Sequence, residues 1–179
     1  MNELEQLQLF EREGLRWLKQ ERLARYPAAR QLTAAERSAM RPFFSEEILL
    51  AARIQHVPVI PNPDFYAALR AKGVPIPLDF SSLMAGLALV DCILIAESKV
   101  GVGQLPLHLL FHELVHVVQY RLLGPDEFIH RYVYGWAMNG RDYDRIPFEI
   151  QAKNLETRYA AAPGHAFSVE DLVRANLPA

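Results

Sequence analysis

The sequence predicts an α+β fold that is predominantly helical, because most apolar residues recur at helical spacing and only two or three short segments have the pattern of strands. The chain has 179 residues, the size of one domain. Hydrophobic residues make up 51% of it, which is enough for a packed core. We expect a single domain over residues 1–179, in which residues 1–52 form a helical extension packed on a core of residues 53–179.

The charge and the cysteine count exclude several classes of protein. The net charge is −2 and Lys and Arg form no run, so we expect no nucleic-acid partner. Cys92 is the only cysteine, which excludes an intramolecular disulfide. Residues 1–23 lack the apolar core of a signal peptide, and the longest apolar stretch, residues 84–96, is too short to cross a bilayer. We therefore expect a cytoplasmic protein without a membrane partner, whose oligomeric state stays open.

Three helices are predicted in the N-terminal extension. In residues 4–23 the apolar residues recur at roughly helical spacing, Gly14 weakens the helix, and Pro27 is its latest possible end. The second and third helices are short. Each begins after a hydroxyl side chain that can cap the first turn, at Thr33 and at Ser45.

The central part of the chain has the patterns of two strands with a helix between them. Residues 53–60 are rich in Ile and Val and alternate loosely, which favours a strand. Residues 87–96 predict a second strand. Between them, Asn62 and Pro63 have the pattern of a helix start, so we expect a helix over residues 65–72.

The C-terminal half is predicted to be helical. A long helix is expected over residues 104–122, and Gly124 and Pro125 should end it and start another. Pro147 can open a further helix that reaches Tyr159, and Ser168 can cap a short terminal helix.

One motif carries chemistry, the segment His112-Glu113-Leu114-Val115-His116. Helix positions four apart share a face, so both histidines can direct a ring nitrogen to a single metal ion. The glutamate beside the first histidine is placed to take a proton from a metal-bound water, which is the physical sense of the H-E-x-x-H pattern. We therefore predict one Zn²⁺ per chain. The alternative is that both histidines are surface residues or hydrogen-bonded core residues.

The stretch from His112 to Gln119 resembles the active-site helix of zincin metallopeptidases. It is particularly similar to small gluzincin-like proteins, in which the motif is often followed by Val-Gln. The resemblance covers about residues 87–159. It implies a zincin-like core, with a small sheet, an active-site helix and a downstream ligand helix, and it implies zinc-dependent hydrolysis of a peptide or protein substrate with Glu113 as general base.

The resemblance also suggests the third metal ligand. In gluzincin-like proteins a glutamate on a later helix completes the site, and residues 147–152 look like that helix, with Glu149 as the ligand. The metzincin pattern is excluded, because Gln119 and Leu122 occupy the positions of its required glycine and third histidine. Four other residues stay open as alternatives: Asp142, Asp144, His130 and Glu156.

Three other histidines are not predicted as ligands: His56, His108 and His165. His108 extends the row of His112 and His116, but the ends of that row lie about 12 Å apart along the helix axis. One ion therefore cannot bind all three.

Further expectations concern the substrate. A donor is needed for the charge that develops on the attacked carbonyl, and Tyr143 is favoured over Arg145, His130 and Tyr134. By the same resemblance, the strand through residues 92–96 corresponds to an edge strand that pairs with an extended peptide. A plain core strand is the alternative.

Two alternatives to an active peptidase stay open. One is a catalytically silent zincin-fold module that binds or scaffolds. The other is a latent peptidase, in which the N-terminal helices or the loop near Tyr143 cover the metal. The sequence also leaves open whether the substrate is a peptide or another amide.

Overall fold

The computed structural model describes residues 2–74, 76 and 78–177, and it confirms an α+β fold in which helices predominate. The helices of this described part are α1 (Glu3–Arg25), α2 (Ala34–Met40), α3 (Glu46–Ala51), α4 (Tyr66–Ala71), α5 (Phe80–Leu83), α6 (Glu97–Val100), α7 (Leu107–Met138), α8 (Pro147–Ala161) and α9 (Val169–Ala175). Its strands are β1 (Arg30–Gln31), β2 (Arg53–Val57), β3 (Gly86–Leu89) and β4 (Cys92–Ala96). No helix within the described residues is both long enough and apolar enough to span a bilayer.

The four strands form one mixed sheet in the order β1-β2-β4-β3. β2 and β4 are parallel, whereas the two outer pairs are antiparallel. All five residues of β4 are buried, as expected for a central strand covered on both faces. The prediction that residues 92–96 offer a free edge is therefore wrong, because β4 is paired on both sides and the outer edge belongs to β3.

The single strand predicted over residues 87–96 is in fact two strands joined by a tight turn. The turn lies at Val90 and Asp91, and Val90 has a φ of 64°, which is unusual for a β-branched residue. Arg22 of α1 donates two hydrogen bonds to the Asp91 carboxylate, at 2.6 and 2.7 Å. The sequence hid this turn because the apolar run continues through Val90 and contains no glycine or asparagine.

The N-terminal extension contributes more than helices. Its residues Arg30 and Gln31 pair with β2, a two-residue strand too short to leave a pattern in the sequence. α1 packs against α7 and β3, and one face of the helix is buried in these contacts. The buried residues of α1 are Leu7, Phe10, Trp17 and Leu18.

α7 consists of two helical halves. Gly124 has φ 77° and ψ 158°, so the backbone is not helical at this residue, and Pro125 follows it. The predicted break is confirmed, whereas the helix begins at Leu107, three residues later than expected. The first half is buried along most of its length and contains the motif, and α8 packs along α7.

Candidate metal centre

The motif side chains lie on the buried first half of α7. His116 and Glu113 are 6% and 3% exposed, and His112 is partly buried. Their apolar helix neighbours Leu114 and Val115 are fully buried. The packing of these neighbours holds this half of the helix in place, so the two histidines are presented from a rigid backbone.

Glu149 of α8 joins the two histidines. One of its carboxylate oxygens lies 3.4 Å from Nε2 of His112, and the other lies 3.5 Å from Nε2 of His116. The two Nε2 atoms are 3.1 Å apart. The three side chains form a group that can hold a metal ion, with ligand atoms all within 4.8 Å of one another.

These distances are close to those between the ligand atoms of a tetrahedrally coordinated metal ion. Zinc binds histidine nitrogen and carboxylate oxygen at about 2.0–2.2 Å, so two ligand atoms of a tetrahedral site lie about 3.3 Å apart. The separation of 3.1 Å between the two nitrogens agrees with that edge length, and each nitrogen has a different oxygen of Glu149 at a similar distance, 3.4 and 3.5 Å. The donor set of two imidazoles and one carboxylate is also one that zinc accepts.

Both histidines have a partner on the opposite ring nitrogen. Nδ1 of His112 lies 3.1 Å from Oε2 of Glu156, and Nδ1 of His116 lies 2.7 Å from Oε1 of Gln119. A carboxylate only accepts hydrogen bonds, so Nδ1 of His112 is the donor. Partners of this kind orient metal-binding histidines and fix their tautomer.

Gln119 also links α7 to the helix that carries Glu149. Its amide nitrogen donates to the carbonyl of Phe148 at 3.2 Å and to Oε1 of Gln151 at 2.9 Å. Because the nitrogen faces these two acceptors, the amide oxygen faces His116, and Nδ1 of His116 must donate to it. In the neutral imidazole, which is the form that binds a metal, Nε2 of His116 then carries the lone pair and faces Glu149 and His112.

Glu113 is placed beside the three candidate ligands. Its atom Oε2 is buried without a hydrogen-bond partner among the described residues, and Ala88 of β3 hydrogen-bonds the carboxylate through its backbone. A buried acceptor without a partner calls for an explanation, and a water on a bound metal would supply the missing donor. This orphaned atom is a second observation that fits a metal site here.

Burial and neighbouring charges shift the pKa values of the titratable groups in the cluster. Burial lowers the pKa of His112, but hydrogen bonds to Glu149 and Glu156 outweigh it and raise that pKa to about 10. Burial raises the pKa of Glu149, yet the neighbouring histidines hold it far below its ordinary value. Burial raises the pKa of Glu113, although both histidines oppose the shift. Glu149 is therefore the carboxylate that stays ionised, as a ligand must.

Two tyrosines complete the surroundings of Glu149. The hydroxyl of Tyr132 donates to Oε1 of Glu149 at 2.8 Å. Tyr143 also lies beside Glu149 and its hydroxyl hydrogen-bonds that carboxylate; burial first and then this carboxylate raise the pKa of the hydroxyl far above its ordinary value. Both hydroxyls therefore keep their protons and act as donors.

The structure does not bring the other candidates into the cluster. Asp142 caps the short turn at residues 143–145, and both it and Asp144 are exposed. The side chain of His130 forms a hydrogen bond with Glu11 of α1 instead. Arg145 pairs with Asp142, and the ring of Tyr134 lies against that of His130, so both residues are outside the group. His108 and His165 are exposed and lie outside it as well.

Four residues around the cluster were missed or misassigned by sequence reasoning. Gln119 follows His116 by three residues, and Glu156 follows Glu149 by two helical turns, so helical spacing is a signal that places both near the cluster. Gly86 and Tyr132 have no such signal. A Cβ at residue 86 would lie 2.4 Å from Oε1 of Glu113, a contact that only the folded chain shows.

A cavity of about 130 Å³ borders Glu113, His116 and Glu149. Its other walls are mostly apolar. They come from α1, from residues 63–66 and 78–88, and from the second half of α7.

Comparisons with known proteins add no family assignment. No protein-family model matches this sequence, and no curated protein and no solved structure matches it either. What bears on function is therefore the chemistry and geometry of the site itself.

Proposed function

We propose that this protein is a zinc-dependent metallopeptidase of the zincin type, with one Zn²⁺ per chain held by His112, His116 and Glu149. The observation that carries the proposal is the convergence of two Nε2 atoms, 3.1 Å apart, on the Glu149 carboxylate, which places one oxygen within 3.5 Å of each. The small sheet, the motif helix and the ligand helix α8 are the parts that a zincin-like core requires.

The number of ligands supports a catalytic site over a structural one. Structural zinc sites are closed by four protein ligands, whereas catalytic sites use three and keep one position for water or substrate. Within the described residues, the group consists of His112, His116 and Glu149 alone. Glu156 lies on the far side of the His112 ring, at Nδ1, and so acts on the ligand and not on the metal.

The proposed mechanism assigns a separate role to each side chain. His112, His116 and Glu149 would hold a Zn²⁺ that would polarise the substrate carbonyl and lower the pKa of a water toward about 7. Glu113 takes the proton of the attacking water and then gives it to the leaving amine. The Tyr143 hydroxyl turns from Glu149 and donates its one proton to the carbonyl oxygen as negative charge develops on it. Tyr132 holds Glu149 in position through its hydrogen bond.

A latent form of the same enzyme is a second candidate, favoured by the position of α1. Phe10, Gly14, Trp17 and Leu18 of α1 line the cavity beside the cluster, so this helix stands between part of the site and solvent. Arg16 and Lys19 tie α1 to Asp64 and Asp126 through exposed ion pairs. If α1 restrains access, the double variant Arg16→Ala, Lys19→Ala should hydrolyse peptides faster than the wild type.

The metal assignment is tested by zinc content, measured by mass spectrometry on purified protein after zinc incubation and desalting. The wild type should contain about one zinc per chain, and Glu149→Ala should lose most of it. Asp144→Ala is the matched control, because it removes an exposed carboxylate five residues away and should keep the zinc. Zinc-free wild type would refute the proposal, and loss of zinc in Asp144→Ala alone would move the third ligand.

A further inference from the structure

The cavity beside the cluster is unusually rich in aromatic side chains. Ten residues of this kind line it: Phe10, Trp17, Phe65, Tyr66, Phe80, Tyr120, Phe128, Tyr132, Trp136 and Tyr143. Its only ionisable residues apart from tyrosines are Glu113, His116 and Glu149, and no Lys or Arg is among the described lining residues. Such a wall accepts an apolar group.

We infer that this cavity is the specificity pocket of the proposed peptidase and takes an aromatic side chain next to the bond that is cleaved. The inference rests on the proposed function, because it gives that reaction a substrate class. It also assigns a role to Gly14 of α1 as the residue that keeps the pocket open.

The size of the cavity matches one aromatic ring. Its volume is about 130 Å³, and an apolar protein cavity of about 150 Å³ is known to stay dry and to bind benzene. The edges and faces of the surrounding rings also favour an aromatic occupant, because aromatic pairs attract beyond the area they bury.

The position of the cavity fits a subsite and not an isolated void. Glu113, His116 and Glu149 form one of its walls, so a side chain in the cavity lies next to the reacting atoms. The edge strand β3 contributes Gly86, Leu87 and Ala88 to the same cavity. A substrate backbone near this edge would therefore have its side chain within reach of the pocket.

Gly14 is a costly residue in the interior of a 23-residue helix, since glycine destabilises a helix relative to alanine. A Cβ at this position would meet no atom within 4 Å, so close packing does not require glycine here. The side chain of a larger residue would occupy space at the cavity wall. Absence of a side chain at residue 14 therefore preserves room for a ligand.

The pocket can be tested by binding, without any hydrolysis. The chain has two tryptophans, Trp17 and Trp136, and both line the cavity, so intrinsic fluorescence reports on its occupant. The probes are N-acetyl-L-phenylalanine amide and N-acetyl-L-alanine amide, titrated into the full-length protein with zinc and after chelation. We expect the dissociation constant of the phenylalanine amide to be at least about tenfold lower.

The matched variants are Gly14→Leu, which should remove this preference, and Ala24→Leu, which adds similar bulk at an exposed position of α1 and should retain it. If Gly14→Leu fails to fold by circular dichroism, Val133→Phe fills the cavity from α7 instead. Equal affinity for the two amides in the wild type, or an unchanged preference in the folded filled variant, would overturn the inference. Binding is scored in the chelated protein as well, so preferred phenylalanine-amide binding without peptide cleavage supports the pocket and counts only against the proposed activity.

Discussion

The amide oxygen of Gln119 lies 2.7 Å from Nδ1 of His116, and in the neutral imidazole this contact decides which nitrogen carries the proton. The same amide donates through its nitrogen to Phe148 and Gln151 near the start of α8. One buried side chain thus sets the tautomer of one ligand and ties it to the helix of another.

Replacing Gln119 should weaken metal binding without removing a ligand. We expect Gln119→Met, which is similar in shape but lacks the acceptor, to lower zinc affinity by roughly 10–100-fold, because outer partners of ligand histidines contribute about that much. Competition with a chromophoric chelator measures the affinity. Gln151→Ala is the control, since it removes one contact of Gln119 and keeps its bond to His116; an equal loss in both variants would contradict the assignment.

Replacing Glu113 should stop the chemistry and spare the metal. We expect Glu113→Gln to lower kcat for a peptide substrate by roughly 10²–10⁴, the usual contribution of a general base, while zinc content stays at the wild-type level. Hydrolysis assays and metal analysis on the same preparation check both statements. A fully active Glu113→Gln protein would contradict the proposed role of Glu113 as general base.

The two tyrosines beside Glu149 should differ in their effects. Tyr143→Phe removes the proposed donor to the carbonyl oxygen and should lower kcat by roughly 10²–10³. Because Tyr143 also hydrogen-bonds Glu149, this variant should lose some zinc affinity, but less than Tyr132→Phe. Tyr132→Phe removes the 2.8 Å hydrogen bond to Glu149 and should weaken zinc binding. If Tyr132→Phe mainly lowered kcat and Tyr143→Phe mainly weakened zinc binding, the roles of the two tyrosines would have to be exchanged.

Gly86 should tolerate no side chain. A Cβ would lie 2.4 Å from Oε1 of Glu113, so Gly86→Ala must displace that carboxylate or shift β3. We expect a loss of about 1–3 kcal/mol in the free energy of unfolding, as for other overpacked sites, together with a lower kcat. Gly164→Ala is the control, because a Cβ there meets no atom within 4 Å. Denaturant unfolding measures the free energy of unfolding of both variants, and hydrolysis assays measure their kcat. Equal effects of Gly86→Ala and Gly164→Ala on these quantities would contradict the prediction.

Zinc removal should lower the melting temperature. A ligand present at 100 times its dissociation constant stabilises the folded state by about 2.7 kcal/mol, which for a domain of this size is a shift of roughly 5–11 °C. Thermal unfolding with zinc and with chelator measures it. His108→Ala should keep the shift, since His108 is exposed and outside the cluster, and Glu149→Ala should lose it.

The motif helix was accessible from sequence because its evidence is local. His112 and His116 share a face through helical spacing alone, and Gly124 and Pro125 mark the end of their helix by backbone chemistry. Glu149 was reached through a resemblance of its surroundings, and the structure places it within 3.5 Å of both histidines.

Other parts could not be predicted because they depend on contacts distant in the chain. The hairpin between β3 and β4 turns at Val90, a residue that normally avoids this backbone conformation, so the apolar run looked like one strand. The bond from Tyr132 to Glu149 depends on the direction that the second half of α7 takes after its break. The closeness of Gly86 to Glu113 arises only when β3 packs on α7.

Gly124 has a consequence for how this chain can vary. Its φ of 77° and ψ of 158° lie in a region of backbone space that is open essentially to glycine alone. Any other residue would have to leave this conformation, and the altered break before Pro125 would move Tyr132 away from the carboxylate that it now holds. In a saturation library selected for zinc retention, residue 124 should therefore be as intolerant as a ligand, although it makes no bond to the centre.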